Sequence, residues 1–342
     1  MVRIRELDDR SRTRWDAFVE RCPGATFFHR AGWKNVIEQS FGHRAPFLYA
    51  EREDRIVGVL PLVHVRSRLF GNALVSSAFA VYGGPAATDE EAAASLDARA
   101  VALADELGVD HLEYRRPVRI HSDWPCRDDL YATFRKTIDP DPEANLKAIP
   151  RKQRAMVRKG IKAGLVGEVD AEVERLHHVY AVSVRNLGTP VFPKTYFRAL
   201  KDEFGHQCEI LTVVRAGQAV SSVMSFYFRD EVLPYYGGGT DAARPLAAND
   251  FMYWEVMRRA AERGVRTFDF GRSKVGTGAF AFKRHWGFEP EPLRYEYYLR
   301  RGDGVPDVNP TNPKYRFLIA TWKRLPLAVT KWLGPHIVRS LG

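Results

Sequence analysis

Apolar and polar residues alternate along two stretches of the chain, each divided by a short polar turn. Residues 46–66 carry apolar runs on either side of EREDR, and residues 208–229 carry them on either side of RAGQ. Runs of β-branched and aromatic residues that flank such a turn are typical of β-hairpins. The pattern therefore predicts a hairpin in each stretch.

Each predicted hairpin is followed by the same succession of elements. A strand ends in Tyr-Gly-Gly, at 82–84 in the first copy and at 236–238 in the second. A polar loop, a helix and a Gly-Val pair come next, and then a strand that carries an acid, Glu113 or Asp269. We therefore interpret the chain as one structural unit written twice.

The helix of each copy is indicated by apolar residues at three- and four-residue steps. In the first copy these residues are Leu96, Ala100, Leu103 and Leu107. In the second copy Asn249 or Asp250 is expected to cap the helix, and Gly264 to end it. Strand, strand, helix and strand in duplicate predict an α/β (α+β) protein of two similar domains with mixed sheets flanked by helices.

The chain has 342 residues, which is longer than one hydrophobic core usually grows. The segment DPDPEAN interrupts the pattern between the two copies. We predict a first domain over 1–137, a second domain over 138–302 that opens with a basic helix at 150–165, and an amphipathic helical tail over 303–342.

Two segments carry more positive charge than the whole formal net charge of +10. Residues 147–162 contain seven cations and no acid, and the chain after Asp307 contains six cations and no acid. Such concentration predicts an anionic neighbour for each segment, although a solvated surface is the usual alternative.

The predicted basic helix has a charged face and an apolar stripe. The cations expected on one face are Arg151, Arg154, Arg158 and Lys162. The residues expected to be buried are Val157, Ile161 and Leu165. The charged face is a hypothetical site for the phosphates of tRNA, of a carrier's phosphopantetheine arm or of a nucleotide-linked acceptor.

The tail is amphipathic and rich in tryptophan. Its apolar residues are spaced for one side of a helix: Phe317, Leu318, Trp322, Leu325, Val329, Trp332, Leu333 and Ile337. Tryptophan beside Lys and Arg favours peripheral contact with an anionic membrane through 309–342, and docking on the second domain is the alternative.

Several classes of protein lack support in the sequence. The three cysteines form no CxxC pair, and no His has metal-ligand spacing, so we predict neither a metal site nor a disulfide framework. Serine hydrolase, zinc protease and P-loop motifs are absent. The amino terminus MVRIRELDDR is unlike a signal peptide. We expect a cytoplasmic protein, at the inner face of the cytoplasmic membrane if the tail binds lipid.

Taken together, these features resemble the FemAB-type branch of the GNAT superfamily, and most closely the FemAB-related proteins of exosortase and exopolysaccharide systems. The resemblance covers nearly the whole chain. Its most specific parts are YYGGGTDAARPLAANDFMYWEV, Asp269-Phe270-Gly271, and Phe282-Lys283 followed by Gly287-Phe288. It implies two tandem GNAT-like domains that transfer an acyl or aminoacyl group to an amine.

The resemblance implies a site in the second domain. Lys283 would stabilise negative charge on the donor carbonyl, and Asp269 would orient Lys283 or accept a proton from the attacking amine. A salt bridge that only holds the loop is the alternative for both residues. The implied donor-binding residues are Phe282, Tyr236, Gly237, Gly238, Asn249 and Arg272. Trp33 and Tyr82 of the first domain would contribute acceptor surface.

The donor stays open because the sequence departs from the usual GNAT phosphate loop. That loop is rich in glycine. This chain has DAARPLAAND at the corresponding place, and it has no glycine between Gly239 and Gly264. We expect no tightly bound cofactor, and an acyl-CoA, an acyl carrier or an aminoacyl-tRNA as co-substrate. The expected acceptor is an amine of a cell-envelope, exopolysaccharide or peptide precursor. The alternatives are a carrier-dependent N-acyl amino acid synthase and a non-catalytic, membrane-docked module of polysaccharide assembly.

Overall fold

The computed structural model of the protein describes residues 1–67, 71–300, 304–305 and 313–340. Within these residues the chain divides into two compact units, which we call unit 1 and unit 2. Unit 1 draws on Met1–Leu130, Pro292–Asn309 and Arg339–Gly342, and unit 2 draws on Tyr131–Glu291 and Pro310–Val338. The domain boundaries after 137 and after 302 stay predictions. Residues 301–303 and 306–312, at and near the start of the predicted tail, lie outside the described residues.

The described residues form strands and helices in mixed order. The strands are β1 Arg3–Glu6, β2 Leu48–Arg52, β3 Arg55–Leu60, β4 Leu62–Ser67, β5 Gly71–Ser76, β6 Ala86–Ala87, β7 His111–Arg116, β8 Cys126–Thr137, β9 Val166–Asp170, β10 Cys208–Arg215, β11 Gln218–Phe228, β12 Glu231–Gly239, β13 Thr267–Asp269, β14 Ser273–Lys274 and β15 Pro290–Leu299. The helices are α1 Arg12–Arg21, α2 Gly32–Phe41, α3 Glu90–Leu107, α4 Pro142–Ala148, α5 Arg151–Lys162, α6 Glu174–Leu187, α7 Lys194–Phe204, α8 Ala243–Leu246, α9 Ala248–Glu262, α10 Gly278–His285, α11 Pro313–Arg324 and α12 Leu327–Val338. This mixture confirms the predicted α/β class.

Unit 1 contains an antiparallel sheet in the order β1-β2-β3-β6 and strands in the order β4-β5-β7-β15. β5 and β7 run parallel, and the other neighbours in these orders run antiparallel. The buried face of α3 packs against Leu48, Leu60 and Leu112 of the strands. Unit 1 therefore has its own core around α3.

Unit 2 contains the antiparallel strands β9, β10, β11 and β12, followed by β13, which runs parallel to β12. On its other side β13 pairs antiparallel with residues 135–137 of β8. The α9 helix connects the parallel strands β12 and β13, and its residues Met252 and Val256 pack in the core with Phe268. Ligands of such sheets bind beyond the carboxyl ends of the parallel strands, so this connection places the candidate site.

Both predicted hairpins are confirmed. Glu53 and Asp54 have positive φ angles of 50° and 57° and turn the chain between β2 and β3. Ala216 and Gly217, at 48° and 75°, do the same between β10 and β11. Pro61 follows β3 and divides the second predicted strand of 46–66 into β3 and β4, because proline cannot donate a ladder hydrogen bond.

The start of α3 follows the local sequence, but the start of α9 does not. Asp89 caps α3, and its Oδ1 accepts a hydrogen bond from the Ala92 backbone at 3.0 Å. The predicted cap of α9 by Asn249 or Asp250 is wrong, because Ala247 takes the cap position with a left-handed φ of 53°. Both polar residues thus lie inside the first turn, where their side chains are available to other partners.

The predicted basic helix is confirmed as α5, but its buried face differs from the prediction. Ile161 is 49% exposed, whereas Gln153, Val157 and Gly160 are buried. A Cβ atom at Gly160 would lie 2.8 Å from Cβ of Phe251. The small residue therefore lets α5 approach α9 closely, and this approach rotates Ile161 towards solvent.

The tail forms two helices, and the side that packs on unit 2 is not the predicted apolar side. α12 buries Thr330, Gly334 and Val338 at four-residue steps, while Trp332 is 69% exposed. Trp322 of α11 is buried as expected. None of the helices in the described part of the chain has the length and apolar content that a bilayer crossing requires.

The two Tyr-Gly-Gly segments differ in backbone. Residues 236–238 lie in β12 as predicted. The prediction of a strand at 82–84 is wrong, because residues 77–85 form a loop that is buried throughout. Within this loop Ser77 and Phe79 have positive φ angles of 52° and 64°. Unit 1 thus replaces the expected strand by an irregular segment packed in its interior.

Candidate active site in unit 2

The parallel strands β12 and β13 share only a short ladder. Their register pairs Glu231 with Thr267 and Val232 with Phe268, and it then stops. β12 continues to Gly239, so most of its length has no partner from β13. Tyr235 adds an extra residue to β12 opposite the step from Met224 to Ser225 of β11. Such a bulge bends a strand, and it lies beyond the point at which the ladder with the three-residue strand β13 ends.

Asp269 ends β13 and is fully buried. Its Oδ1 accepts a hydrogen bond from the Gly271 backbone N–H at 2.7 Å, and Thr133 Oγ1 lies 3.5 Å from the same oxygen. Its Oδ2 lies 3.5 Å from Nε of Arg135, which also binds Glu231. The carboxylate therefore fixes the turn that follows the strand.

Lys283 reaches the same turn from α10. Its Nζ donates to the carbonyl oxygens of Phe270 at 2.6 Å, of Gly271 at 3.0 Å and of Arg272 at 3.1 Å. Three acceptors match the three N–H bonds of an ammonium group. The side chain thus places a positive charge directly beyond the carboxyl end of β13.

The surroundings of Lys283 bring its pKa close to neutral pH. Burial lowers the pKa of Lys283 to about 7, while Asp269 raises it and Arg272 lowers it further. The Nζ atom also lies 5.5 Å from the ring centre of Phe134 and 5.8 Å from that of Phe270. A cation in such a water-poor setting interacts more strongly with developing negative charge than a solvated cation does.

Phe282 and Arg272 flank this charge. Phe282 is half-buried and has ring contacts with Tyr253 at 5.7 Å, Trp286 at 6.1 Å and Phe270 at 6.3 Å. Arg272 places its guanidinium carbon 4.8 Å from the ring centre of Tyr131. The turn after β13 is therefore bordered by aromatic rings and by a second cation.

Tyr236 of β12 points into an aromatic cluster. It is buried, and its hydroxyl oxygen lies 2.7 Å from that of Tyr196. The rings of Tyr180 and Phe197 lie 6.2 Å and 5.3 Å from that of Tyr236. Burial raises the pKa of Tyr236 well above its usual value. Its phenol is thus a neutral packing group, and a role in donor binding stays a prediction.

The glycines after Tyr236 are required by close packing. A Cβ atom at Gly238 would lie 2.3 Å from Cβ of Ser183 in α6, and one at Gly237 would lie 2.9 Å from the Ser222 carbonyl oxygen. A Cβ atom at Gly239 would lie 2.8 Å from Oδ1 of Asn249. These contacts explain the glycines without a ligand, and they also bring Asn249 to the end of β12.

Asn249 and Asp250 occupy the first turn of α9. The Asn249 Oδ1 atom is shielded from solvent and has no hydrogen-bond partner. Asp250 Oδ1 accepts bonds from Gln153 Nε2 at 3.1 Å and from Trp286 Nε1 at 3.0 Å. Burial raises the pKa of Asp250, and these two bonds lower it in part.

The sequence did not reveal that Asp250 links elements around the candidate site. Asp250 joins α5, α9 and the end of α10 through Gln153 and Trp286, and Trp286 lies one turn beyond Lys283. In the sequence, Asp250 is only an acid near the start of a predicted helix. Such an acid usually indicates a cap or a favourable charge at the helix start. The partners lie 97 and 36 residues away in sequence, so no local pattern could identify them.

The predicted anion-binding cations lie along α5. Arg151, Arg158 and Lys162 are exposed, and Arg154 is half-buried with its Nη1 donating to the Lys147 carbonyl oxygen at 2.7 Å. Pro150 is the N-cap of α5. It packs against Gly287, where a Cβ atom would lie 3.1 Å from the proline ring. The basic helix thus starts beside α10, and anion binding stays a prediction.

The predicted acceptor residues of unit 1 lie in an aromatic cluster. Trp33 and Tyr82 are 3% and 5% exposed, and both contact Phe28, at 5.4 Å and 6.1 Å between ring centres. Trp33 Nε1 donates to the Phe27 carbonyl oxygen at 3.1 Å. These contacts are those of a packed interior, and a role as acceptor surface stays a prediction.

A comparison with protein families finds one domain. Residues 146–284 match the family described as Acetyltransferase (GNAT) domain. The matched segment is less than half of the chain, lies within unit 2, and contains β12, α9, β13 and Lys283. A search of the curated proteins returned no match.

Solved structures share the fold over most of the chain at low sequence identity. FemX is 16% identical with a TM-score of 0.68, covering 87% of this chain and 97% of the FemX chain. The C-terminal domain of a protein described as a lysylphosphatidylglycerol synthetase, from Agrobacterium fabrum, is 14% identical with a TM-score of 0.55, covering 86% and 92%. A tandem GNAT protein from the clavulanic acid biosynthesis pathway is 15% identical with a TM-score of 0.55, covering 89% and 100%.

These similarities agree with the geometry of unit 2. A short parallel ladder, a connecting helix and a half-buried cation beyond the strand end lie inside the segment that matches the GNAT domain. The domain match supports an acyltransferase, as the sequence predicts. The chain therefore has a GNAT/FemAB-type fold, and the exosortase-associated subtype stays a prediction.

Proposed function

We propose that the protein is an N-acyl or aminoacyl transferase. It takes an acyl group from an ester or thioester carrier and joins it to an amine of a cell-envelope, exopolysaccharide or peptide precursor. The observation that carries this proposal is the Lys283 ammonium beyond β13, where β12 has lost its parallel neighbour. The fold similarity to FemX and to the lysylphosphatidylglycerol synthetase domain supports an acyl or aminoacyl group as the one transferred.

In the proposed reaction the amine nitrogen attacks the donor carbonyl carbon directly. A C–N bond forms, the C–S or C–O bond to the carrier breaks, and the amine proton leaves through water while the carrier thiol or hydroxyl takes up a proton. No cysteine or serine lies in a convincing nucleophile setting in the sequence, so no covalent enzyme intermediate is invoked.

Lys283 stabilises the carbonyl oxygen as it becomes negatively charged. All three N–H bonds are held by backbone carbonyls, so the ammonium must exchange one of them for the oxyanion. The Arg272 carbonyl, at 3.1 Å, is the most distant of the three. Such a charge-assisted bond in a dry site is typically worth about 3 kcal/mol of transition-state stabilisation.

Asp269 acts as a positioning residue in this mechanism. Its carboxylate is fully buried and accepts the Gly271 N–H bond, while the Gly271 carbonyl accepts a bond from Lys283. This arrangement supports an orienting role, because a proton acceptor for the substrate would need access to it. In this proposal the donor carrier binds beside the part of β12 that extends beyond its ladder with β13. The cations of α5 bind the anionic groups of the carrier.

The test is a transfer assay with the full-length protein. Acyl-CoA, acyl-carrier and aminoacyl-tRNA donors are combined with amine acceptors, and the amide product is identified by mass spectrometry. We expect one donor class to react and Lys283→Met to lower the rate by about 100-fold. Lys201→Met is the matched control, since Lys201 also donates to a backbone carbonyl, that of Cys208 at 2.7 Å, in unit 2.

The assay also separates the alternatives. Reaction with free amino acids alone would indicate a carrier-dependent N-acyl amino acid synthase. The capture of all three Lys283 N–H bonds by the chain itself favours the second candidate, a non-catalytic binding module. That candidate replaces our proposal if no donor reacts. If a donor reacts and Lys283→Met retains the wild-type rate, as Lys201→Met should, the role assigned to Lys283 is wrong.

A further inference from the structure

The two tail helices dock on unit 2 through one side only. Trp322 of α11 is buried, and its Nε1 donates to the Thr189 carbonyl oxygen at 3.1 Å. Gly334 of α12 packs so closely that a Cβ atom there would lie 2.6 Å from the backbone nitrogen of Val191. The helices therefore lie over the segment 188–194, and their opposite sides face away from unit 2.

Exposed apolar side chains lie on both tail helices and beside them. Trp332 of α12 is 69% exposed and Leu318 of α11 is 61% exposed. Leu187, at the end of α6, is 68% exposed and directly precedes Gly188, where a Cβ atom would lie 2.5 Å from Ile319. These three large apolar side chains lie on elements that border the segment 188–191, and exposed apolar surface of this kind favours a binding partner.

The charge around these side chains is positive. Residues 313–340 contain no acid. Lys323 and Arg324 are exposed at the end of α11. Lys331 of α12 is half-buried, and its pKa is lowered by burial and by Lys194. Glu174 of α6 is already bound to Lys194 at 3.2 Å. A partner of this surface should therefore be anionic as well as apolar.

We propose that this tail surface, formed by Trp332, Leu318, Leu187, Lys323 and Arg324, binds the face of an anionic lipid bilayer. An indole ring is stable at the depth of the lipid headgroups, and each cation near an anionic leaflet adds about 1 kcal/mol. The contact is narrower than the apolar stripe predicted from the sequence, because Trp322 is buried against unit 2. The proposal goes beyond acyl transfer and needs no donor or acceptor.

The test is sedimentation of the full-length protein with vesicles. Vesicles of phosphatidylcholine alone are compared with vesicles that also contain phosphatidylglycerol. We expect binding only to the anionic vesicles, and weaker binding as salt is added. Trp332→Ala should lower the bound fraction several-fold, and Lys323→Glu with Arg324→Glu should lower it at least about tenfold. All three side chains are exposed, but Lys323 Cε also lies 3.1 Å from the place of a Cβ atom at Gly188. The thermal unfolding midpoint of each variant is therefore measured, and binding is compared only between folded proteins.

Arg158→Glu with Lys159→Glu is the matched control. This pair is also an adjacent, exposed Arg and Lys, and it lies on α5. If the protein binds vesicles through the tail surface, the control pair should change the bound fraction little. The proposal is overturned if wild-type protein stays in solution with anionic vesicles, or if both charge reversals weaken binding equally. It is also overturned if Trp332→Ala leaves vesicle binding unchanged and instead dissociates a dimer in size-exclusion chromatography.

Discussion

The two Tyr-Gly-Gly segments have the same residues and different surroundings. In unit 2 the segment at 236–238 continues β12 beyond its short ladder with β13. In unit 1 the segment at 82–84 lies in a buried loop, where Gly84 has a φ of 90° and the Gly83 N–H bonds to the Arg115 carbonyl at 2.8 Å. The flanking structure, and not the tripeptide, decides whether the segment forms a strand.

The acids that follow the two helices differ in the same way. Glu113 of unit 1 is bound by Arg115 at 2.6 Å, two residues along its own strand. Asp269 of unit 2 binds the backbone of the turn that holds Lys283. In unit 1 the charge of Glu113 is therefore neutralised by Arg115 of the same strand. In unit 2 Lys283 lies beyond the end of the strand that carries Asp269. This difference places the proposed chemistry in unit 2 alone.

The largest effect is expected from breaking the buried pair of unit 1. Glu113→Ala leaves Arg115 buried without this carboxylate, and it should lower the free energy of unfolding by about 3–5 kcal/mol. Transfer per folded molecule should not change. Urea unfolding and the transfer assay measure the two quantities. Loss of transfer in folded Glu113→Ala protein would contradict the assignment of the chemistry to unit 2.

The glycines can be compared by substitution with alanine. Gly238→Ala brings a Cβ atom within 2.3 Å of Ser183, and it should lower the free energy of unfolding by about 1–3 kcal/mol. Ser183→Gly in the same chain should restore much of this loss. Gly84→Ala should not be rescued by Arg116→Ala, because its φ of 90° strains any residue with a Cβ atom. Equal rescue at both positions would contradict this distinction.

A histidine gives unit 1 a pH dependence. His121 lies 3.5 Å from Asp97 and 3.6 Å from Glu296, and these carboxylates raise its pKa from 6.5 to about 9 in spite of burial. The folded state then binds the proton more tightly than the unfolded state. Its contribution to stability is fully present below pH 6.5 and is lost as the pH rises through 9. His121→Asn should flatten this fall in urea unfolding, and an unchanged fall would refute the assignment.

A pH dependence of the opposite sign is expected from Lys283 in unit 2. Burial lowers the pKa of Lys283 from 10.5 to about 7, so the unfolded state binds more protons between these values. The stability contributed by this residue should therefore rise with pH across that window. Lys283→Met should remove the rise, while Lys201→Met should retain it. A rise that survives in Lys283→Met protein would show that another group carries it.

Local patterns predicted the elements that depend on local interactions. The hairpin turns and the strand that carries Asp269 follow from a few neighbouring residues. The pairing of β12 and β13 inside a GNAT-like unit came from family resemblance. These parts could be predicted because turn chemistry and apolar periodicity act within one element.

The errors arise where distant segments decide the structure. Ala247 takes a left-handed conformation and displaces the predicted caps of α9, and the Asp250 carboxylate binds Trp286 instead. α12 docks through Gly334 because a small residue is needed beside Val191. Apolar periodicity selects the most hydrophobic side, whereas close packing here selects the smallest one. The composition of a helix does not contain that information.

The Lys283 side chain also has a chemical consequence. With a pKa of about 7, roughly half of these amines are neutral at pH 7, compared with about one in 2,500 for an ordinary lysine. A neutral amine is a nucleophile, so Lys283 should be intrinsically more reactive towards electrophilic labels than a solvated lysine. The three carbonyls that hold it restrain this reactivity. The rate at which a small acylating reagent labels Lys283 would therefore report how often the turn at 270–272 opens.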